Sequence, residues 1–318
     1  MGSASLMRAA LYDGYGPPEV LYEGRVPAPT AGPGQLLVRV HAVSVNGGEL
    51  LLRSGGLRWV AGRSFPKRVG MDFTGEVAET GPGATGYRVG DRVWGLLPRM
   101  GFGSAAEYVA VPTRQVSLAP EGIDLVEAAA LPVGTTSITA LRDKARLRSG
   151  ERVLVRGASG GVGNTTVQIA KAMGGRVTGL ASARNLDLVR ELGAEEAFDY
   201  AATPLADLGR FDVIVDSAGS DLPALRRLLA PGGRMIGLSF DSAAMVGYVL
   251  ASYVFGSRRV RFFSGQPRHA LFADLTRYVE EGALRPVVDT VHPLSDVAAA
   301  HRALEAGGVR GKHIVRVV

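Results

Sequence analysis

There is no cysteine among the 318 residues. That absence excludes disulfides, thiolate nucleophiles, Cys-ligated zinc and iron–sulfur clusters. Long apolar runs are missing too. The most apolar stretch, "SAAMVGYVLASYVFGSRR" (242–259), is broken by glycines and polar residues and is short for a membrane span, so it reads as a buried or interface-facing helix. Dense runs of one charge sign are also absent: the net charge is +6, but Lys and Arg are scattered along the chain. This fits a solvated basic surface with some attraction for anionic ligands, and no nucleic-acid partner is expected. The opening "MGSASLMRAALYDGYG" has no charged segment followed by an apolar one, so no secretory signal is expected and the cytoplasm is the expected compartment. With 46% hydrophobic and 21% charged residues, the composition is that of a soluble globular protein.

The chain has two textures. Up to residue 122 it is rich in Gly and Pro, with alternating apolar runs in "QLLVRVHAVSVN", "GMDFTGEVAETGP", "YRVGDRVWGLL" and "SAAEYVAVP", which predicts a mostly antiparallel β domain. Over 123–263 strand-like "RVLVRGA", "RVTGLAS", "EEAFDY", "FDVIVDSAG" and "GGRMIGLS" alternate with helix-like "NTTVQIAKAM", "NLDLVRELG" and "PALRRLLAPG". That alternation predicts βαβ units and a buried parallel sheet. Residues 264–318 add "ALFADLTRYVEEG" and "SDVAAAHRALEAG", read as helices with a Ser or small residue at the start and Gly at the end, and then a strand, "GKHIVRVV", expected to complete the first domain. The fold class is therefore α/β, with a β domain from 1–122 and 264–318 and a doubly wound parallel-sheet domain over 123–263.

"VLVRGASGGVGNTTVQIAKAMGGRV" (153–177) reads as strand, glycine-rich turn and helix. Unpaired N–H groups and the positive end of the dipole make such a helix start a pyrophosphate site. Gly160 lets backbone approach phosphate and Gly163 lets the helix pack on the strand, while Ala158 stands where the first fingerprint glycine is usual. The second strand runs into "ASARNLD": Ser182 and Arg184 precede any carboxylate, and Asp187 falls inside the next helix. A guanidinium and a hydroxyl suit a ribose 2′-phosphate, so the cofactor is read as NADPH.

Together "HAVSVNGGELLLRSG", "VGMDFTGEVAETG", "VGDRVWG", "SAAEYVAVP", "ALPVGTTSITAL", "GASGGVG", "FDVIVDSAG" and "LRPVVDTVHPLSDVAAAHRALEAGGVRGK" follow one order over nearly the whole chain. In this it resembles the zinc-independent, zeta-crystallin-like quinone oxidoreductase branch of the medium-chain dehydrogenase/reductase superfamily. The resemblance implies a GroES-like β domain, a Rossmann domain, hydride transfer from NADPH to a quinone or α,β-unsaturated carbonyl, and a homodimer. It places Asn46 beside the nicotinamide ribose, Thr136 near the nicotinamide, and Ala158, Ser159, Gly160, Gly161, Val162 and Gly163 at the pyrophosphate. Ser182, Arg184 and Tyr200 fall at the adenosine phosphate end, and Ser217 and Gly219 beside the nicotinamide.

Departures from the pattern are informative. Zinc-dependent relatives carry His-Glu where Met71-Asp72 stands, so no metal is expected. The family's Asn-Pro-x-Asp is Asn46-Gly47-Gly48-Glu49, and Leu51 occupies the place of a Tyr proposed as proton donor in enoyl-thioester reductases. Asn46 is the candidate catalytic residue; before two glycines it can equally be a turn-stabilising Asn. Tyr108, Tyr248 and Tyr253 are the candidate proton donors by chemistry, with water as the alternative. Trp59, Phe65 and Phe102 are candidates for an apolar pocket, with core packing as the other reading. His41, His269, His292, His301 and His313 have no metal-ligand spacing. Two further functions stay open: a biosynthetic enoyl or enone reductase, acting on a polyketide-like or thioester intermediate and coupled or not to cyclisation, and a non-catalytic NADPH-binding protein of the crystallin kind.

Overall fold

The computed structural model describes residues 5–98, 101–239, 247–249, 252, 260–263, 265 and 267–318. Most of 242–259, including Tyr253, lies outside these. The chain divides into two compact units: Met1–Pro132 with Gln266–Glu280 and Arg285–Val318, and Val133–Gly265 with Glu281–Leu284.

Alternation builds the first unit. Strand Gln35–Ser44 turns Leu36, Val38, Val40 and Ala42 inward, and all four are fully buried. Leu36, Val38 and Val40 meet Phe73, Val77, Val93, Val111 and Val116 from neighbouring strands in one core. A seven-stranded sheet runs Val288–Pro293, Lys312–Arg316, Gln35–Ser44, Asp72–Thr80, Arg92–Leu96 and Val116–Leu118, with Tyr108–Pro112 also paired to Gln35–Ser44. A smaller sheet joins Tyr22–Pro27, Leu6–Tyr12 and Lys67–Arg68. The last strand is antiparallel to Gln35–Ser44, with Ile314 opposite Ser44, and the Val45 N–H donates to the His313 carbonyl at 3.0 Å. This register sets Lys312 against the residues that leave Ser44.

Strands with buried apolar centres build the second unit. Six parallel strands lie in the order Glu196–Asp199, Arg176–Ala181, Arg152–Arg156, Phe211–Asp216, Leu229–Gly237, Val260–Arg261, that is, 3-2-1-4-5-6 in chain sequence. This is the order of a dinucleotide-binding doubly wound fold, and its switch point falls beside the first strand. Helices Gly161–Ala172 and Leu186–Glu191 connect the strands where the helical periodicity placed them; the third, Leu222–Arg227, is shorter than expected, because the last residues of "PALRRLLAPG" open strand Leu229–Gly237 instead. Among the described residues Val260–Arg261 lies at one edge of this sheet and Glu196–Asp199 at the other.

Two local features differ from the expected ones. Helix Gly134–Ile138 continues into a π-helical segment, Thr139–Ala145, which ends at Arg146 with φ 52°. Nothing in "TALRDKA" punctuates the chain, so no break was legible. Ser295 lies in the short turn Leu294–Asp296 and does not cap helix Val297–Glu305, which starts after Asp296 without a side-chain cap bond. Its glycine end does follow expectation: Gly307 and Gly308 take φ 72° and 64°.

Candidate functional site

In the second unit the turn after Arg152–Arg156 is shaped by Gly157, whose φ is 76°. The tight turn expected of a glycine at 158 is made one residue earlier, and Ala158 is wholly buried instead. A Cβ on Gly163 would lie 1.9 Å from the Gly157 carbonyl oxygen, so helix and strand can approach this closely only with glycine there. Gly160 is the N-cap of Gly161–Ala172 and supplies no side-chain cap, leaving the first-turn N–H groups of Gly161, Val162 and Gly163 without the usual side-chain acceptor. An anionic group fits that need.

The surroundings are tied to this turn. The Asn185 amide donates to Ser159 Oγ at 3.1 Å and to Ser182 Oγ at 3.2 Å, joining the glycine turn to the end of the second strand. Arg184 is exposed on the same short loop. Asp187 is 93% exposed and pairs at 2.9 Å with Arg190 on its own helix. Tyr200, also exposed, is anchored by its N–H to the Ala181 carbonyl at 3.1 Å. Asp216 is fully buried, and its two oxygens accept from the N–H groups of Ala218 and Gly219 at 3.1 Å each. It is thus a turn-former, and Ser217 Oγ donates to the Arg156 carbonyl at 2.8 Å. Ser137 binds Thr165 and Thr166 hydroxyls at 2.7 and 2.9 Å, fixing the half-buried Thr136 beside the start of the same helix.

In the first unit Asn46 lies two residues beyond strand Gln35–Ser44, at the head of helix Gly47–Arg53. Its Nδ2 donates to Asp72 Oδ2 at 3.0 Å, to Glu49 Oε1 at 3.1 Å and to the Ser44 carbonyl at 3.1 Å. Its Oδ1 accepts from Lys312 Nζ at 2.7 Å. Lys312, Glu49 and Asp72 are 6%, 2% and 1% exposed. Asp72 Oδ1 accepts from the Ser44 N–H at 2.7 Å, and its Oδ2 from the Ser44 hydroxyl at 2.5 Å. Glu49 Oε2 accepts from the Gly70 N–H at 3.0 Å. Burial, reinforced by the Asp72 charge, pushes the Glu49 carboxyl up to about 8. Burial also pulls the Lys312 ammonium down, against the opposing pull of Asp72 and Glu49. Sequence reasoning picked out Asn46 and noticed positions 49 and 72, but missed Lys312, whose one signal is a cation heading an apolar final strand.

Other candidates have ordinary surroundings. Tyr108 packs against the cluster of Met7, Ala9, Leu11 and Ala106. The Tyr248 hydroxyl is 3.2 Å from Arg226 Nη1. Phe65 stacks edge-on against Tyr12 and Tyr15, while Trp59 is 83% exposed under the Arg58 guanidinium; Phe102 is half-buried. His269 Nδ1 bonds the Val116 carbonyl, His292 and His313 contact each other ring to ring, and His41 faces Glu76 at 3.6 Å. His301 is buried, and burial beside Arg53 depresses it to about 3.

Comparison with known proteins places these arrangements. Residues 32–121 match the alcohol dehydrogenase GroES-like domain, and residues 192–315 match the zinc-binding dehydrogenase family. The chain is 31% identical to a chloroplast envelope quinone oxidoreductase homolog of Arabidopsis thaliana, over 98% of this chain and 99% of that one. It is 32% identical to a 2-methylene-furan-3-one reductase of Solanum lycopersicum, over 99% and 80%. Its fold matches the quinone oxidoreductase from Coxiella burnetii with a TM-score of 0.91 at 30% identity, covering 99% and 100% of the two chains. The chain belongs to the quinone oxidoreductases of the medium-chain dehydrogenase/reductase superfamily.

For a quinone oxidoreductase described through a zinc-binding family, the metal requires a test against the residues present. They do not fit it. The chain has no cysteine, Met71 is no zinc ligand of the His kind, and both Asp72 oxygens are taken up by Ser44 and Asn46. Among the described residues no group of three His, Asp or Glu side chains is placed to hold a metal ion. A nicotinamide dinucleotide does fit: the open helix start, the glycine cradle and the loop carrying Ser182 and Arg184 are the features it needs. No helix among the described residues is long and apolar enough to cross a membrane.

Proposed function

We propose that this oxidoreductase is an NADPH-dependent, metal-free reductase of quinones or α,β-unsaturated carbonyls. The observation that carries the cofactor choice is the end of strand Arg176–Ala181. It leads into Ser182 and Arg184, and the nearest following carboxylate, Asp187, is turned to Arg190. The names of the relatives, a quinone oxidoreductase homolog and a furanone reductase, support the substrate class.

When bound, NADPH supplies the hydride. The N–H groups of Gly161, Val162 and Gly163 bind its pyrophosphate, with Ala158, Ser159 and Gly160 forming the approach. Ser182, Arg184 and Tyr200 hold the adenosine end. Thr136, Ser217, Gly219 and Asn46 define the nicotinamide end. The amide hydrogens of Asn46 are already bonded to Asp72, Glu49 and Ser44, so Asn46 acts on the nicotinamide ribose as an acceptor and is not the donor to the oxygen where charge develops. The Tyr108 ring packs against Met7, Ala9, Leu11 and Ala106, and water is taken as the proton source.

The test is reduced-cofactor oxidation with ortho- and para-quinones, linear enones and enoyl thioesters, using NADPH and NADH. Arg184→Ala is expected to raise KM for NADPH roughly tenfold, the scale of one charge-assisted contact, and to leave that for NADH unchanged. Equal use of both cofactors by the unmodified protein would overturn the NADPH assignment, and failure to reduce every acceptor class would favour the binding-protein reading. The edge strand Val260–Arg261 supports a homodimer in which that edge pairs with its symmetry mate, which light scattering measures directly.

A further inference from the structure

The buried charges around Asn46 are arranged in an unusual way. Lys312 makes no direct ion pair with Asp72 or Glu49; its Nζ donates to the Val45 carbonyl and to Asn46 Oδ1, both at 2.7 Å. The two carboxylates meet the other end of the same amide, at 3.0 and 3.1 Å. Lys312 and the two acidic side chains are therefore connected through the Asn46 side chain. Rotating that amide by half a turn would set its NH2 against the Lys312 ammonium and its carbonyl against the Asp72 carboxylate, a donor-donor clash at one end and an acceptor-acceptor clash at the other. The amide hydrogens have their acceptors within the network, and one lone pair of Oδ1 is taken by Lys312. What remains for an incoming group is a single acceptor lone pair, suited to a hydroxyl.

We propose that Lys312 is a positioning residue: through Oδ1 it locks the Asn46 amide in the one orientation that presents an acceptor to a hydroxyl of the nicotinamide ribose. The inference rests on the reading that Asn46 meets that ribose. Lys312 itself never touches cofactor or substrate. Its ammonium replaces free rotation with a fixed orientation, and Asp72 is the buried counter-charge that keeps it in place.

The experiment is a double-mutant cycle on cofactor affinity, with NADPH and with adenosine 2′,5′-bisphosphate, a probe that lacks the nicotinamide half. The variants are Asn46→Ala, Lys312→Met and the two combined. Because Lys312→Met leaves the buried Asp72 carboxylate uncompensated, Lys312→Met/Asp72→Asn, which removes one charge of each sign, is included to secure a folded protein. Near-UV circular dichroism checks the fold. The expected result is an about tenfold weaker NADPH affinity for each single variant and for the charge-balanced pair. Lys312→Met adds nothing on top of Asn46→Ala, and affinity for the bisphosphate is unchanged throughout. If Asn46→Ala weakens NADPH binding but Lys312→Met and its charge-balanced form do not, or if the losses multiply, the positioning role of Lys312 is overturned while Asn46 keeps its place. If Asn46→Ala itself leaves NADPH affinity intact, the reading beneath the proposal fails and takes the proposal with it. Equal loss of both probes assigns Lys312 a purely structural role and also overturns the inference.

Discussion

The glycine turn of the second unit and the Asn46 network of the first solve opposite problems. Around Gly157–Gly163 the chain removes side chains so that backbone N–H groups stay open: Gly160 caps nothing, and a Cβ on Gly163 would collide with the Gly157 carbonyl. Around Asn46 it does the reverse, surrounding one half-buried amide with two carboxylates, an ammonium and a serine until the donors are used. On the proposed reading, the first region offers donors to an anion and the second offers an acceptor to a hydroxyl. A site can thus be built by omission or by saturation, and the two should fail differently when altered.

Omission should fail hardest. Gly163→Ala puts a methyl against backbone 1.9 Å away, which no side-chain rotation relieves, so the helix must move off the strand. A stability loss beyond the ~1–3 kcal/mol usual for overpacking is expected, with NADPH binding abolished, as read by denaturant melts and cofactor fluorescence. Gly160→Ala is the control: its Cβ would lie 3.4 Å from the Gly157 carbonyl, and its φ of −74° suits alanine, so the fold should persist while phosphate approach is hindered. If both variants behave alike, the close packing at Gly163 is not what holds the turn together.

Saturation should fail next. Lys312→Met leaves the buried Asp72 carboxylate without its counter-charge and is expected to cost about 3–5 kcal/mol in urea unfolding, most of it recovered when Asp72→Asn is added. The pH behaviour sharpens this. Glu49, pushed up to about 8 in the folded protein, binds its proton more tightly there than in the unfolded chain. Between the ordinary carboxyl range and about 8 the folded state therefore holds the extra proton, and stability falls as pH rises. Glu49→Gln should flatten that fall. Melting temperatures from pH 5 to 8 give the slope, at roughly 2–4 °C for each kcal/mol. A variant as pH-sensitive as the unmodified protein would show that another group sets the slope.

This difference also explains what could be read in the sequence. The parallel strands and the glycine turn are local: "RVLVR", "RVTGLA" and "FDVIVD" each have a largely apolar centre, and "GASGGVG" follows the first of them directly. Even there, the left-handed residue proved to be Gly157, because the turn is fixed by which carbonyl faces Gly163, a fact of three dimensions. The Asn46 network joins Ser44, Asn46 and Glu49 to Asp72 and to Lys312, 266 residues away from Asn46. Only the antiparallel register of the last strand brings that lysine in, and a lysine at a strand end ordinarily faces water. The π-helical segment Thr139–Ala145 escaped notice for a related reason: its apolar positions fit an ordinary helix equally well.

The smallest expected effect tests the edge of the glycine-turn region. Asp187 is the first carboxylate after strand Arg176–Ala181, the type of group that would grip ribose hydroxyls if the cofactor were NADH. Its side chain instead stands 93% exposed and pairs with Arg190 three residues on, an interaction screened by water and worth little. Asp187→Asn should therefore change neither the melting temperature nor KM for either cofactor beyond measurement error, in contrast to Arg184→Ala on the same loop. A selective loss with NADH in Asp187→Asn would mean that the helix start rearranges to present a carboxylate to the ribose. In that event the second unit would bind its cofactor partly through side-chain charge, and the contrast with the Asn46 region would narrow to the pyrophosphate alone.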